Sequence, residues 1–162
     1  MSDLSRRAAM FAVPAVAAAG AVGTVAVSKG ADEVVELISR RTATSLPSVP
    51  GANVVAGTVF FTSVSTHGKD GVKIGDGSVH GMVVDIIAGL PVKVVIQTKI
   101  VYRLPDGELH LSSMHIREIP SPGKTFPVAV IGGTGKYRTA RGDGTGEHAT
   151  DTDTKITLNL VL

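Results

Sequence analysis

The sequence contains no cysteine and no tryptophan among its 162 residues, and aromatic residues make up only 4% of it. The absence of cysteine excludes a disulfide framework, a thiol nucleophile and a cysteine-based zinc site. Hydrophobic residues account for 43% of the chain, which is sufficient for one domain with a substantial core. Because aromatic side chains are scarce, that core must be built mainly from Val, Ile, Leu and Ala.

An excess of charge of one sign is also missing. The chain carries 16 basic and 14 acidic residues, for a formal net charge of +2 at pH 7. A nucleic-acid-binding protein usually presents a basic face, and this composition provides none. Nucleic acid is therefore not an expected partner.

The first 28 residues have the order of a secretory signal. Arg6 and Arg7 form a short basic region, and the stretch from Ala8 to Val27 is uncharged and rich in Ala, Gly and Val. Paired arginines before a mildly hydrophobic run are typical of twin-arginine export, so segment 1–28 predicts a secreted, extracytoplasmic protein. There are two alternatives, an uncleaved membrane anchor and a buried core helix. The anchor is the only contact with a membrane that the sequence predicts.

The next segment, 29–53, is predicted to be a linker. Apolar residues within Ala31–Arg41 have a helix-like spacing, but the stretch is too short to form a stable helix alone. From Arg40 to Asn53 the sequence is rich in Ser, Thr, Pro and Gly, which favours an irregular connection. The folded domain is therefore expected to span 54–162.

Within 54–162 the chain alternates between short β-prone runs and turn signals. No part of this region has a convincing helical period, and many short strands are best accommodated in a closed antiparallel barrel. The predicted strands are Val54–Ser65, Val79–Ala88, Val92–Arg103, Glu108–Glu118, Phe126–Ile131 and an alternating strand from Ile156 to Leu162.

Two of these strands are apolar on both faces, namely Val54–Phe61 and Met82–Ile87. An antiparallel barrel that is monomeric in water should have one polar face. The pattern therefore predicts a homo-oligomer whose barrel encloses a pocket for a small hydrophobic ligand.

The segment Ile131–Gly142 reads I-G-G-T-G-K-Y-R-T-A-R-G. It resembles the signature V-x-G-G-T-G-x-F/Y-x-x-A-R-G of dirigent proteins and their allene oxide cyclase relatives, and the resemblance extends over 54–162. It implies an eight-stranded antiparallel β-barrel, usually a trimer, with an elongated hydrophobic cavity. It also implies cyclisation or radical coupling of a bound small molecule, without a metal or an organic cofactor.

The same glycine-rich segment does not form a phosphate-binding loop. That motif requires G-x-x-x-x-G-K-[ST]. Here Gly135-Lys136 is followed by Tyr137, and Val130 occupies the position of the first glycine. The glycines are instead expected to permit a sharp turn, with Tyr137 packed inward.

Arg141 is the first candidate catalytic residue. The resemblance implies that this arginine faces the cavity and works with acidic residues, whereas a surface turn is the alternative. In dirigent proteins that couple phenolic radicals, one of those acids lies in the glycine-rich segment, where this chain has Gly135. This difference weakens the case for a lignan-type activity.

Three further candidates lie on apolar strands. Asp85 would have a raised pKa suited to proton transfer if it faced the cavity, and the alternative is an ion pair with Lys99 or Arg103. Tyr102 could donate a hydrogen bond to a ligand oxygen or simply belong to the core. His115 shares a face with Leu109 and Leu111 and could act as an acid or base, the alternative being a hydrogen-bonded core histidine.

No metal site is expected. His110 and His115 lie on opposite faces of one strand and cannot bind the same ion. The run Asp151-Thr152-Asp153-Thr154 lacks the glycine and the downstream glutamate of a calcium loop.

Three functions are compatible with these observations. The first is a cofactor-independent cyclase or isomerase, or a dirigent-type protein that controls the stereochemistry of cyclisation. The second is a non-catalytic barrel that binds a lipid or secondary metabolite. The third is a structural, envelope-associated protein.

Overall fold

A computed structural model describes residues 32–45, 54–118 and 123–162. The proposed signal, 1–28, lies outside these residues, so export stays a prediction. Within the described ranges no helix is long and apolar enough to cross a membrane.

Eight antiparallel strands form a closed barrel in which each strand pairs with its neighbours in the sequence and β1 pairs with β8. The all-β, eight-stranded architecture predicted from the sequence is thereby confirmed. The strands are β1 (Asp32–Thr44), β2 (Val59–His67), β3 (Lys73–Ile87), β4 (Lys93–Leu104), β5 (Gly107–Glu118), β6 (Thr125–Gly133), β7 (Arg141–His148) and β8 (Asp153–Val161). A short 3₁₀ helix, Gly135–Tyr137, lies between β6 and β7.

The linker prediction is wrong for β1. Residues Asp32–Thr44 form a strand of the barrel that pairs with β8 from Asp32 to Arg40 and with β2 from Ile38 to Thr44. The segment forms a strand rather than a helix because β2 and β8 would otherwise each expose an unpaired edge. As a strand, β1 forms backbone hydrogen bonds with both edges. The folded domain therefore includes Asp32 and does not begin near Asn53.

The glycine-rich segment Ile131–Gly142 is only partly a turn. Its first three residues, 131–133, belong to β6, and its last two begin β7, which contains few residues with high β propensity. Here the glycines allow close packing rather than bending, because a Cβ atom added at Gly144 would overlap the Thr157 carbonyl oxygen on β8. Tyr137 is 5% exposed, so the inward packing expected for this residue is confirmed.

Alternation along the strands places the core inside the barrel. On β4 the inward face runs from Val94 through Ile96 and Ile100 to Tyr102, as the sequence predicts. The most deeply buried side chains fill the end of the barrel where β5 begins and β8 finishes, and they include Leu109, Leu111, Leu158 and Leu160. This end is closed, and the inner space that remains lies at the other end.

Exposed apolar side chains lie on the outer face of β2, β3 and β5. Phe61 on β2 is 61% exposed and stacks on His80 of β3, with 4.8 Å between the ring centroids. Met82 follows on β3, and Met114 and Ile116 on β5 are also exposed. An exposed apolar surface of this kind is what a homo-oligomer would bury. The homo-oligomer predicted from the sequence and the trimer implied by the resemblance both stay predictions.

The placement of β1 leads to a test by truncation. A chain that begins at residue 54 should fail to unfold cooperatively and should aggregate, because removal of β1 leaves β2 and β8 as open edges. A chain that begins at residue 29 should unfold in one cooperative transition. Circular dichroism during urea unfolding distinguishes the two chains, and a cooperative transition in the shorter one would contradict the role given to β1.

Candidate functional site

A cavity of about 120 Å³ opens at the end of the barrel opposite the packed leucines. At this end β1, β5 and β7 finish and β2, β4, β6 and β8 begin. An engineered cavity of about 150 Å³ in another protein holds one benzene molecule. The enclosed space is therefore suited to a single aromatic ring, with the rest of a ligand extending out of the mouth.

The inner part of the cavity is mostly apolar. Its walls include Val64 of β2, Val79 of β3 and Ile100 of β4. Thr98, which is 6% exposed, also lines this part, and its Oγ1 has no hydrogen-bond partner among the described residues. A buried hydroxyl without a partner is uncommon, and a polar atom of a ligand could satisfy it.

Tyr102 also lines the cavity and is 1% exposed. Burial raises the pKa of its phenol to about 12, and a side-chain hydrogen bond with Ser39 opposes this effect. The phenol therefore stays protonated at neutral pH and does not act as a base.

Phe126, His115 and His148 form an aromatic wall nearer the mouth. The ring of His115 stacks on Phe126 at 4.2 Å between centroids and 15° between planes. His148 lies 4.9 Å from Phe126 and 6.3 Å from His115 by the same measure. Gly146 makes this arrangement possible, because a Cβ atom at that position would overlap the Phe126 ring.

The hydrogen bonds of His115 determine which of its nitrogens is available. Ser113 donates its one hydroxyl hydrogen to the Pro127 carbonyl oxygen at 2.6 Å. The contact of 3.0 Å between Ser113 Oγ and His115 Nδ1 must therefore have the imidazole as donor. In the neutral ring this leaves Nε2 with a lone pair that can accept a proton.

His148 has a similarly unsatisfied nitrogen. Its Nδ1 lies 3.4 Å from Thr154 Oγ1 on β8. Its Nε2 is buried and has no hydrogen-bond partner among the described residues. A ligand that enters the cavity could therefore bind a second imidazole nitrogen.

Both imidazoles are neutral at pH 7. Burial, together with the nearby charge of Arg117, lowers the pKa of His115 to about 4. Burial is likewise the main cause that lowers the pKa of His148 to about 4, with contributions from Arg117 and His115. The strands thus place two weak bases in a partly desolvated site.

Arg41 and Arg117 line the cavity at its mouth, together with Asp151. Burial and the neighbouring charge of Arg41 lower the pKa of the Arg117 guanidinium, and Asp151 opposes that shift. Two guanidinium groups thus lie close enough to repel each other, with one carboxylate nearby. The mouth carries positive potential at neutral pH.

The structure places two of the four candidate catalytic residues in the cavity. His115 and Tyr102 line it. Asp85 does not, because it follows a β-bulge and lies exposed, where its carboxylate accepts a hydrogen bond of 2.8 Å from the Ile86 N–H. The alternative ion pair with Arg103 is also not formed, since that guanidinium binds Asp76 at 2.7 Å.

Arg141 also lies away from the cavity. Its side chain is exposed, and Nη1 donates a hydrogen bond of 2.7 Å to the Ala140 carbonyl oxygen. Arg141 is the first residue of β7, at the closed end of the barrel, whereas His148 is the last residue of the same strand and lies at the mouth. The cavity-facing role implied by the resemblance is therefore wrong for Arg141.

Sequence reasoning missed several residues of the site. Arg117 could have been found, because it lies two positions after His115 and therefore on the same face of β5. His148 and Arg41 could not, because neither β7 nor the barrel strand β1 was predicted. Among the described residues no group of three or more His, Asp or Glu side chains could hold a metal ion.

No protein-family model matches the chain, and no curated protein matches it by sequence. Solved structures do match. Pyocyanin demethylase is 18% identical, with a TM-score of 0.65 over 79% of this chain and 99% of that one. AbnU, an exo-specific intermolecular Diels-Alderase, is 13% identical, with a TM-score of 0.56 over 81% and 98% of the two chains. A pterocarpan synthase dirigent protein is 16% identical, with a TM-score of 0.50 over 82% and 94%.

The chain has the barrel fold of the dirigent proteins and of Diels-Alderase barrels. Sequence identities this low establish the fold alone. The site described above therefore has to be interpreted from its own residues.

The low pKa values of His115 and His148 predict an acid-sensitive fold. Between pH 6.5, where histidines of the unfolded chain titrate, and about pH 4, the unfolded chain binds protons that the folded chain does not. The contribution of the two histidines to the free energy of unfolding should therefore be fully present above pH 6.5 and should decrease as the pH falls to 4. Urea unfolding followed by circular dichroism measures this slope.

The double variant His115→Gln, His148→Gln should flatten the slope between pH 6.5 and 4. The matched control is His110→Gln, since His110 lies on the outer face of β5 beside Glu108. An unchanged slope in the double variant would show that other groups cause the acid sensitivity. Carboxylates whose pKa is lowered in the fold, such as Asp153, act below this window.

Proposed function

We propose that the chain is a cofactor-independent cyclase or isomerase that binds a flat, oxygenated aromatic molecule in the barrel and controls the stereochemistry of its ring closure. The observation that supports this most strongly is the pair of neutral imidazoles beside Phe126. Nε2 of His115 is an acceptor, and Nε2 of His148 is buried without a partner among the described residues. A cavity that only enclosed an apolar ligand would not need these two groups.

The imidazoles restrict the chemistry to acidic protons. A general base is most effective when its pKa is near that of the working solution, and these two have pKa values of about 4. The two imidazoles are therefore better suited to remove a proton from a phenol or enol O–H, which is relatively acidic, than from an unactivated C–H. After ring closure, an imidazolium of low pKa returns its proton readily to a carbanion or enolate carbon.

The remaining contribution is positioning and charge. The enclosed space orients one ring against the aromatic wall, so that ring closure occurs from one face. The guanidinium of Arg117 lies near both histidines, as its effect on their pKa values shows, and it would stabilise negative charge on an oxygen of the substrate. Tyr102 and Thr98 offer hydrogen-bonding groups deeper in the cavity.

The solved structures with the same fold support a small-molecule role. Their names describe a demethylase of pyocyanin, a Diels-Alderase and a pterocarpan synthase, and each of these proteins acts on a small molecule. A non-catalytic binding barrel remains the competing function, and it differs in one respect. Removal of the imidazoles would then change affinity and leave the course of any reaction unaltered.

The cyclisation of 2′-hydroxychalcone to flavanone provides a suitable test reaction. The phenol loses its proton, its oxygen forms a bond with the β-carbon of the enone, and the α-carbon gains a proton, so atoms balance without a co-reactant. The uncatalysed reaction gives a racemic product. The protein should accelerate the loss of chalcone absorbance and yield an excess of one enantiomer by chiral chromatography.

His115→Gln should reduce the rate about a hundredfold and abolish the enantiomeric excess. This is the lower end of the roughly 10²–10⁴ that a general base contributes, because an imidazole with a pKa of about 4 is a weak base. His148→Gln should have a smaller effect of the same sign. His110→Gln is the matched control and should behave as the unaltered chain. Saturable binding of the chalcone without any change in rate or enantiomer ratio would contradict catalysis and favour the binding barrel.

A further inference from the structure

We infer that the mouth of the cavity is an anion-binding subsite, and that the substrate is an aromatic acid whose ring enters the barrel while its carboxylate binds Arg41 and Arg117. This inference rests on the proposed function and specifies its substrate class.

The charge at the mouth supports a bound anion. Arg41 of β1 and Arg117 of β5 both line the cavity from opposite strands of the barrel, and Asp151 is the carboxylate beside them. The two imidazoles are neutral at pH 7 and add no charge. Among the described lining residues the guanidinium groups therefore exceed the carboxylate by one charge, which a monoanion would balance.

The environment of Arg117 makes the interaction stronger than one on an open surface. This residue is half-buried, and burial is the main cause that lowers the pKa of its guanidinium. A second guanidinium nearby adds repulsion. A ligand carboxylate would relieve that repulsion in a region where water screens charge less effectively than at the surface.

The depth of the cavity determines how such a ligand lies. Along the paired strands β4 and β5 the order inward from the mouth is Arg117, then His115 level with Ile96, and then Thr98, which pairs with Ser113. The enclosed volume admits one ring. A benzoate with a hydroxyl group opposite its carboxylate matches this order, because the hydroxyl would reach the unpartnered Thr98 Oγ1.

A carboxylate fits this subsite better than a phosphate ester. A phosphate ester carries close to two negative charges at pH 7, which exceeds the surplus of one positive charge at the mouth. Its second charge would have to lie near Asp151 without compensation. The inference therefore commits to a monoanionic acid.

The experiment compares 4-hydroxybenzoate with its neutral methyl ester by amide-shift titration of the ¹⁵N-labelled full chain at pH 7. The two probes share the ring and the hydroxyl group and differ in charge. The acid should bind about tenfold more tightly than the ester, since its carboxylate accepts charge-assisted hydrogen bonds that the ester cannot. Added salt should weaken binding of the acid alone.

Arg117→Gln should abolish the preference for the acid while binding of the ester persists. Arg41→Gln, at the exposed rim, provides a second variant with the same expected outcome in case Arg117→Gln does not fold, which the amide spectrum itself reports. Arg138→Gln is the matched control, because Arg138 follows the 3₁₀ helix at the closed end of the barrel. It should retain the full preference.

Three other results are informative. Equal affinity for acid and ester would overturn the anion subsite and leave the chalcone assay to decide the proposed function separately. A preference for acid that survives in both Arg41→Gln and Arg117→Gln would also overturn it. Failure of both probes to bind would overturn the subsite and the ligand-binding cavity together.

Discussion

The structure depends on closure of the sheet by β1, which pairs with β8 on one side and β2 on the other. Without these two sets of hydrogen bonds the remaining seven strands would form an open sheet with two unpaired edges. Closure brings inward-facing side chains from all eight strands to one axis. Deep packing of leucines at one end and polar groups at the other then follow from the order of residues along each strand.

Closure also explains the chemistry of the cavity. The adjacent strands β5, β6 and β7 place His115 stacked on Phe126 and His148 tilted against the same ring. Closure brings Arg41 of β1 across from Arg117 of β5. Partial removal from water keeps both imidazoles neutral, and Arg117 reinforces the effect. Gly146 contributes by leaving room for Phe126. Neutral bases, a flat wall and a positive mouth therefore arise from one geometric constraint.

Much of the fold could be predicted from the sequence, because alternating residues and turn signals reveal strands such as β4 and β5. The same alternation placed Tyr102 and His115 inside. Two strands were not predicted. The apolar residues of β1 have a helix-like spacing, and β7 is rich in glycine, which has a low β propensity and is accommodated there by close packing against the neighbouring strands. Because these two strands were not predicted, Arg41 and His148 were not among the predicted site residues. The prediction that Asp85 faces the cavity was wrong because both faces of its strand are apolar in sequence, so the pattern does not distinguish the inner face from the exposed outer one.

The proposed proton transfer depends most on the ionisation of the two imidazoles, which long-range ¹⁵N–¹H NMR of the histidine side chains measures directly. Titration should give pKa values of about 4 for His115 and His148, with the proton of neutral His115 on Nδ1. Values near 6.5 for both residues, typical of histidines in water, would contradict a desolvated catalytic pair. The cavity would then be a solvated pocket, and the proposed proton transfer would lose its basis.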